Sequence, residues 1–410
     1  MRSLYIYTHG FPDPNGHSTA ARLSWLHLTL LAARGPVDLI ALLPLREAAA
    51  KPPPALAALC RTILPLPAPG SALAGILSAL AGACRGIPPA PALKLNAACA
   101  AALEKSLASQ SHDLIAFHST DGLVNLPARL PPRGKRPALI LFSEEIQWTA
   151  WRSYSPGQWR AIGPQQALQA LLWRRMRAFE RTRYRRLDGV FCLSQREEHA
   201  VAGLDPAIPT RLLPLPLEAG LLTPPTTTTE KPVILFTGFF GHPPNRLAAH
   251  ELAHDLFPRV RRTLPGATLR LAGRGASTLA GCSGPGIERI DSLPSLAPEY
   301  AAAAVLAGPL RTGEGVRGKF LESLASACPV VTTPLGASGI RAGEEEGLLI
   351  RETRQGLADA ILQLLPNPAL RRRLGLAGRN AVLRHHSADA FGEAFNAGLA
   401  TILHPDGNRP

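Results

Sequence analysis

The chain has 410 residues, of which 46% are hydrophobic and 18% charged, so it can bury large cores and is not a disordered protein. Its 40 prolines and 36 glycines exclude a long helical bundle or a coiled coil, and the length predicts two or three domains. The formal net charge of +14 favours an anionic partner: a nucleic acid, a membrane surface or a phosphorylated substrate.

In the first half of the chain, short apolar runs alternate with helical patterns. Strands are predicted at residues 4–8, 37–43, 62–66, 114–118, 138–142 and 189–194, and helices at 17–33, 92–109 and 164–186. Continuous apolar strands separated by helices are typical of a parallel sheet that is covered on both faces. We therefore predict a doubly wound, Rossmann-like α/β domain at residues 1–216.

A Pro/Thr-rich stretch predicts a linker at residues 217–231, after which the same pattern restarts. Strands are predicted at residues 233–237, 268–272, 303–306, 330–333 and 348–350, and helices at 245–264, 299–302, 315–327 and, as two or three helices, 353–403. These elements predict a second Rossmann-like domain at residues 232–385. The last residues, 386–410, are interpreted as a helix and tail that could pack back on the first domain. Two such domains that face each other leave a cleft, a usual place for a substrate.

Neither a membrane span nor a disulfide framework is indicated. Residues 1–11 lack the apolar core of a signal peptide, and prolines break the longest uncharged run, residues 62–84, into a strand, a turn and a buried helix. The six cysteines form no CxxC and no Cys/His zinc spacing, so we expect no metal site. We expect a cytoplasmic protein, and leave open a peripheral contact with the inner face of the cytoplasmic membrane.

The segment GPLRTGEGVRGKFLESLASACPVVTTPLGASGI, residues 308–340, is the most informative part of the sequence. It predicts a strand end, a glycine-punctuated loop, a helix and another strand. Backbone N–H groups and the positive end of a helix dipole suit a diphosphate. Arg311, Arg317 and Lys319 would add positive charge to such a site.

Glu314 and Glu322 lie eight residues apart in this segment. On a continuous helix they would be separated by about 12 Å, roughly the length of a diphosphate between two sugar rings. Carboxylates accept hydrogen bonds from diols, so each could hold one sugar. Two glutamates at this spacing are more often solvated, but the glycine loop and the cations favour a ligand. The separation exceeds the ~5–9.5 Å between the paired carboxylates of a glycoside hydrolase.

This segment resembles the EX7E region of retaining GT-B glycosyltransferases of family 4, and most of all the bacterial exopolysaccharide-associated branch. Residues 236–252 and 269–275 resemble the nucleotide-binding domain of that family. Residues 10–35 and 113–119 resemble its acceptor-side loop and its fourth strand with a terminal histidine. The resemblance implies a GT-B fold with an interdomain cleft and an acceptor-binding first domain. It also implies a hexosyltransferase-type enzyme of EC 2.4 that acts with retention in bacterial surface polysaccharide synthesis.

The resemblance also implies roles for individual residues. Glu314 would contact the donor sugar near its reacting carbon, Glu322 would bind ribose, and His118 would face the donor sugar or the acceptor hydroxyl. A partly buried structural histidine is the alternative for His118. The remaining groups assigned to the sugar donor are Gly315, Val316, Arg317, Lys319, Arg274, Gly238, Arg246, Asn15 and Gly16. Two departures weaken the pattern, because Arg246 has no following lysine and Gly16 stands where the family has two glycines.

The expected donor is a nucleotide-diphosphate sugar, and the expected acceptor is a glycan or a lipid-linked glycan. No DxD triplet is present, so we expect neither a metal nor another cofactor in the reaction. Two rival functions are a nucleotide-sugar epimerase of GT-B architecture and a non-catalytic scaffold that binds a nucleotide or lipid.

The charge is concentrated in the first half: residues 1–216 contain 24 Lys and Arg against 13 Asp and Glu, and the rest contains 20 against 17. Four of the five tryptophans, Trp148, Trp151, Trp159 and Trp173, precede or enter an arginine-rich helix that ends near Arg186. This region suits an anionic membrane or a phosphate-bearing acceptor, and the alternative is a solvated helix with its tryptophans in the core. No nucleic-acid partner is expected, because no nucleic-acid motif accompanies the arginines. His385 and His386 are interpreted as a solvated pair.

Overall fold

The computed structural model describes residues 1–14, 19–47, 49–68, 72–149, 164–217, 231–291 and 293–403. The chain divides into two compact units. The first consists of Met1–Leu193, Glu197–Leu213 and Phe395–Pro410, and the second of Ser194–Arg196 and Pro214–Ala394. Most of the predicted linker, residues 218–230, lies outside the described residues.

The first unit is built on a seven-stranded, all-parallel sheet in the order β3-β2-β1-β4-β5-β6-β7. Its strands are β1 Ser3–Tyr7, β2 Val37–Leu43, β3 Thr62–Pro67, β4 Leu114–His118, β5 Ala138–Phe142, β6 Gly189–Cys192 and β7 Thr210–Leu212. Every residue of β1, β2 and β4 is buried, as their continuous apolar runs predict. The edge strand β7 is half-buried and was not predicted.

Helices surround this sheet. They are α1 Thr19–Ala32, α2 Pro54–Leu59, α3 Ala72–Cys84, α4 Pro89–Ala92, α5 Ala97–Ser109, α6 Pro164–Tyr184 and α7 Gln195–Leu204, with 3-10 turns at Leu45–Glu47 and Thr120–Asn125. The run at 62–84 forms a strand and a helix as predicted. However, α3 is not a buried helix, because Leu77 and Leu80 are 57% and 59% exposed.

The second unit is built on a six-stranded parallel sheet in the order β10-β9-β8-β11-β12-β13. Its strands are β8 Val233–Thr237, β9 Thr268–Ala272, β10 Ile287–Ile290, β11 Val305–Gly308, β12 Val330–Thr332 and β13 Leu348–Ile350. Its helices are α8 Pro243–Glu251, α9 Phe257–Thr263, α10 Ala297–Ala301, α11 Gly318–Ala325, α12 Arg354–Leu364 and α13 Pro368–His386, and α14 Ala388–Leu403 follows. From Phe395 onwards, α14 belongs to the first unit, where Phe395 packs beside Phe142 and Phe191.

Three predicted helices differ from those observed. The helix predicted at 92–109 begins only at Ala97 and is preceded by the separate short helix α4. The helix predicted at 245–264 is interrupted by a π-helical turn at Leu252–Leu256. Pro258 follows this turn and lacks the N–H that a regular helix would direct to His254, which favours the wider turn. The helix predicted at 315–327 begins only at Gly318, because Gly313 and Gly315 adopt φ of +98° and +78°.

Both sheets have a point at which the strand order reverses. In the first unit β1 pairs with β2 and with β4, and in the second β8 pairs with β9 and with β11. Successive crossovers leave such a point in opposite directions, so a crevice opens at the carboxyl ends of its strands. The loops after β1, β4, β8 and β11 are therefore the candidate ligand-binding segments.

Candidate functional site

In the second unit, the loops that follow β8 and β9 touch through two glycines. Gly238 has a φ of +155° and Gly273 a φ of +127°, and both follow the last residue of their strand. A Cβ atom at Gly273 would lie 2.3 Å from the carbonyl oxygen of Gly238. Only glycine allows this approach, so the backbone at this edge of the sheet carries no side chains. We call this surface, formed by Gly238 and Gly273, the backbone ledge.

Lys319, in the first turn of α11, forms hydrogen bonds to the end of β8, next to the backbone ledge, and to α8. Its Nζ donates to the carbonyl oxygen of Thr237 at 2.6 Å and to Oδ1 of Asn245 at 2.8 Å. The same Nζ lies 4.4 Å from the centre of the Phe236 ring. Burial, reinforced by the charge of Arg317 and opposed by that of Glu322, lowers the pKa of Lys319 to about 7. An ammonium group has three N–H donors, so one remains for a ligand.

Arg317 lies in the loop between β11 and α11. Its Nη1 donates to the carbonyl oxygen of Glu314 at 2.7 Å, and a Cβ at Gly313 would lie 2.9 Å from its Nη2. His242, at the start of α8, was not singled out in the sequence. Burial lowers the pKa of His242, and the charges of Arg317 and Lys319 lower it further, which places all three in one electropositive cluster. Such a cluster suits an anion.

Glu322 lies one turn further along α11, where Tyr300 holds its carboxylate. The Tyr300 hydroxyl donates to Oε2 of Glu322 at 2.7 Å and lies 3.1 Å from Oγ1 of Thr237. Burial and the nearby Glu322 carboxylate raise the pKa of Tyr300 well above its usual value, so the phenol keeps its proton. Glu322 was predicted from the sequence, whereas its partner Tyr300 was not.

Glu314 does not lie on a helix with Glu322, so the helical geometry from which the 12 Å separation was derived does not apply. It sits between the two left-handed glycines, Gly313 and Gly315, which prevent a regular helix. Its carboxylate is buried and accepts two hydrogen bonds, of 2.9 and 3.1 Å, from the guanidinium of Arg196, a residue of the same unit. A bidentate arginine holds a carboxylate in a fixed orientation.

The other residues assigned to the sugar donor are less tightly grouped. The Arg274 guanidinium lies 4.3 Å from the centre of the half-exposed Phe239 ring, in the loop that contains Gly238. Val316 is half-buried and Arg246 is exposed on α8. Arg311 instead pairs with Glu251 at 2.7 Å, which neutralises its charge. Asn15 and Gly16 lie outside the described residues.

In the first unit, His118 ends β4 and is fully buried. Its Nδ1 lies 3.0 Å from the Tyr5 hydroxyl and 3.4 Å from Nδ1 of His27, and its Nε2 lies 3.0 Å from Oε1 of Glu144. Burial would raise the pKa of Glu144, but the facing His118 outweighs burial and lowers it. A histidine that faces a carboxylate at the carboxyl ends of β4 and β5 can orient or move a proton. A direct contact of His118 with the sugar or the acceptor stays a prediction.

An exposed histidine, His9, follows β1 in the same region of the first unit. Its Nε2 lies 3.4 Å from Oδ2 of Asp121, in the turn after β4. Lys94 donates to the Thr8 carbonyl oxygen at 2.9 Å. Sequence analysis missed His9, although its position directly after an apolar strand was the available signal.

The basic, tryptophan-rich region divides into an inner and an outer set of side chains. The indole N–H of Trp173 donates to the Trp148 carbonyl oxygen at 2.8 Å, and Trp148 packs against the core. Glu180 is buried and accepts hydrogen bonds from the amides of Gln147 and Trp148, and its burial raises its pKa to about 8.

On the outer side of α6, four exposed arginines follow a helical spacing: Arg174, Arg177, Arg181 and Arg185. Trp151 and Trp159 lie outside the described residues.

No helix in the described part of the chain combines the length and the apolar character needed to cross a bilayer. His386 corrects the interpretation of a solvated pair, because its side chain is fully buried. Its Nδ1–H donates to the Leu215 carbonyl oxygen at 2.8 Å, and its Nε2 accepts from the amide of Arg341 at 3.1 Å. Burial lowers the pKa of His386 to about 4, so it stays neutral near pH 7.

Residues 231–367, about a third of the chain, match the family model for glycosyl transferases group 1. This match covers the loops after β8, β9 and β11 and all of α11. None of the curated proteins matches the sequence.

Solved structures share the fold over nearly the whole chain. Sucrose-phosphate synthase from Thermosynechococcus elongatus is 17% identical with a TM-score of 0.62, covering 98% of this chain and 100% of that one. Trehalose 6-phosphate synthase from Burkholderia multivorans is 12% identical with a TM-score of 0.60, covering 98% of each chain. Anabaena Alr3699/HepE in complex with UDP is 12% identical with a TM-score of 0.59, covering 97% of this chain and 99% of that one. The two Rossmann-like units and these neighbours confirm the predicted two-domain GT-B fold. Together with the family match, they support a glycosyltransferase.

Proposed function

We propose that this chain transfers a sugar from a nucleotide-diphosphate donor to a glycan or a lipid-linked acceptor, with retention of configuration, in bacterial surface polysaccharide synthesis. The observation that carries the proposal is the arrangement around α11. Three groups lie together at the switch point of the second sheet. They are the Lys319 ammonium, which has one N–H donor left for a ligand, the bare backbone at the two glycines, and the Glu322 carboxylate, which Tyr300 orients. The group 1 family match covers the same residues.

Each group has a distinct task in this proposal. Lys319, Arg317 and the backbone amides near Gly315 and Val316 bind the diphosphate and stabilise the charge that develops on it as the sugar leaves. Glu322 accepts hydrogen bonds from ribose hydroxyls. Glu314 faces the reacting carbon, where its negative charge stabilises an oxocarbenium-like transition state.

Retention of configuration is implied by the resemblance to the EX7E enzymes, and we include it in the proposed reaction. The acceptor hydroxyl attacks the anomeric carbon on the face that the diphosphate leaves, and the leaving phosphate oxygen takes its proton. One C–O bond breaks, another forms, and the products are a glycoside and a protonated nucleoside diphosphate. The side chains named above supply the charges that this step needs, so we propose that neither a metal nor another cofactor takes part.

The ligands of one structural neighbour indicate which nucleotide sugar to test first. Anabaena Alr3699/HepE has been solved with UDP, with UDP and glucose, and with UDP-glucose. UDP-glucose is therefore the first donor to test.

A panel of nucleotide sugars, incubated with and without a bacterial membrane lipid extract, separates the three candidate functions. Release of nucleoside diphosphate only when the extract is present supports the transferase. Interconversion of sugar epimers without the extract would support the epimerase. Binding of a nucleotide without turnover of any donor would support the non-catalytic scaffold.

The depressed pKa of Lys319 predicts that donor affinity depends on pH. Lys319 loses its proton near pH 7 in the free protein, whereas the bound diphosphate favours the charged form. The complex then binds more protons than the free protein, so affinity for the nucleotide sugar falls above pH 7, by up to about tenfold per pH unit. Calorimetric titrations from pH 6 to pH 9 measure this slope.

The matched control for this experiment is Lys319→Met, which cannot titrate. We expect it to bind the nucleotide sugar more weakly and with a flat pH profile. Lys105→Met removes an exposed lysine on α5 and should retain the wild-type slope. A wild-type slope in Lys319→Met would rule out Lys319 as its source.

We also propose that the first unit contacts an anionic membrane through α3 and α6. Leu77 and Leu80 on α3 are exposed, and Arg175 of α6 donates to the Ala83 carbonyl oxygen at 3.1 Å, which joins the two helices. Exposed leucines on one helix and exposed arginines on the other suit an apolar membrane interior beneath anionic headgroups. This contact would bring the enzyme to a lipid-linked acceptor.

Sedimentation with vesicles tests the membrane contact. Binding to phosphatidylglycerol vesicles, but not to phosphatidylcholine vesicles, is expected, and it should weaken with salt. Removing Arg174 and Arg181 together by serine substitution should reduce binding about 30-fold, since each cation contributes about 1 kcal/mol. The control, Lys105→Ser with Arg372→Ser, removes the same charge from exposed positions elsewhere. Equal losses in both double variants would show a net-charge effect and contradict a specific surface.

A further inference from the structure

Three side chains that bind metals elsewhere in biology meet in the second unit, outside the glycine loops. His250 lies in the last turn of α8, His254 in the π-helical turn that follows, and Cys282 in the turn between β9 and β10. Their ligand atoms all lie within 4.8 Å of one another. We propose that His250, His254 and Cys282 bind a zinc ion, with water as the fourth ligand.

The distance between Cys282 and His250 fits a tetrahedral centre. Zinc bonds of about 2.3 Å to sulfur and about 2.0–2.1 Å to nitrogen, at tetrahedral angles, place the two ligand atoms about 3.6 Å apart. Sγ of Cys282 lies 3.5 Å from Nδ1 of His250. Cys282 and His250 therefore need little movement to bind one ion.

The backbone presents these side chains to one another. The rings of His250 and His254 are nearly parallel, with an interplanar angle of 10° and centroids 5.7 Å apart. Gly281 has a φ of +74°, a conformation that few other residues adopt, and a Cβ there would lie 3.5 Å from Nε2 of His254. The left-handed turn at Gly281 thus lets the loop approach the exposed His254 and places Cys282 beside His250. We infer that His250 coordinates through Nδ1 and His254 through Nε2.

Neighbouring charged groups are committed to other partners. Glu251 pairs with Arg311, and Asp255 lies 3.6 Å from Arg354. Arg289 donates to the carbonyl oxygens of Ser277 and Leu279. The ligand set is therefore two nitrogens and one sulfur, a borderline-soft combination that selects zinc over magnesium or calcium.

The ion would join the end of α8 to the turn after β9, and Cys282 would bind as the thiolate after releasing its proton to water. The inference does not depend on the transferase reaction. Sequence spacing does not show the site, because 28 residues separate Cys282 from His254.

Cobalt(II) is the probe, since it replaces zinc and reports its ligands by absorption. We expect metal-free protein to bind one equivalent, with the visible bands of tetrahedral cobalt and a near-ultraviolet thiolate charge-transfer band, and zinc to displace it. Cys282→Ser should abolish the thiolate band. Cys84→Ser removes an exposed thiol elsewhere and should leave that band unchanged.

A second variant is needed because Cys282 is buried and its substitution can disturb folding. His254 is exposed, so His254→Ala should fold normally while its zinc affinity falls by at least about tenfold. Zinc should raise the Tm of the wild type but not that of His254→Ala. Absence of a thiolate band in the wild type, loss of the band in Cys84→Ser, or unchanged zinc affinity in His254→Ala would each overturn the proposal.

Discussion

Glu314→Gln is expected to lower kcat about 10²–10³-fold while affinity for the nucleoside diphosphate stays close to that of the wild type. The substitution keeps the shape of the side chain but removes the negative charge assigned to the reacting carbon. That charge interacts more strongly with the transition state than with the bound donor, so its loss appears in kcat. Steady-state kinetics and calorimetry on the same preparation separate the two effects.

Two controls accompany the measurement on Glu314→Gln. Glu345→Gln neutralises a carboxylate that is 81% exposed and should leave kcat unchanged. Thermal unfolding of Glu314→Gln checks that loss of the Arg196 pair has not unfolded the unit. A folded Glu314→Gln protein with wild-type kcat would remove Glu314 from the reaction.

Glu322→Ala is expected to weaken binding of the nucleotide sugar by about 100-fold or more. A hydrogen bond to a charged carboxylate contributes about 1.5–3 kcal/mol, and two ribose hydroxyls would each make one. Because these bonds are similar in the ground state and the transition state, KM should rise more than kcat falls. Calorimetric titration with the nucleoside diphosphate measures the loss directly.

Tyr300→Phe provides the graded comparison. It keeps the Glu322 carboxylate and removes the 2.7 Å hydrogen bond that orients it, so we expect a loss of about tenfold. Tyr300 then acts as a positioning residue, visible in KM and in binding rather than in kcat. Unchanged nucleotide affinity in Glu322→Ala would contradict both the ribose role of Glu322 and the positioning role of Tyr300.

Much of the fold was predictable because both sheets have continuous apolar strands. The ranges predicted for β2, β4, β5, β8, β9 and β13 agree with those observed. Sequence patterns missed β7 and β10 because these edge strands are not apolar runs. In β10, Glu288 and Arg289 are exposed, which is normal for a strand with a neighbour on one side only.

The site was predictable only where its residues are close in sequence. The glycine loop and Glu322 follow from one segment, but Tyr300 lies 22 residues before Glu322, and Thr237 lies 82 residues before Lys319. The topology of the sheet, not local spacing, brings these partners together. His386 shows the same limit, since its partner Leu215 is 171 residues away and nothing local distinguishes it from a solvated histidine.

The most direct test of the account follows both products of the reaction in one sample. A nucleotide sugar labelled with ¹³C at its anomeric carbon is incubated with the protein and the acceptor extract, and NMR records the nucleoside diphosphate and the new glycosidic carbon over time. We expect the two products to appear in equal amounts, with the anomeric configuration of the donor retained. Nucleoside diphosphate without a glycosidic bond, or an epimerised donor that remains attached to its nucleotide, would contradict it.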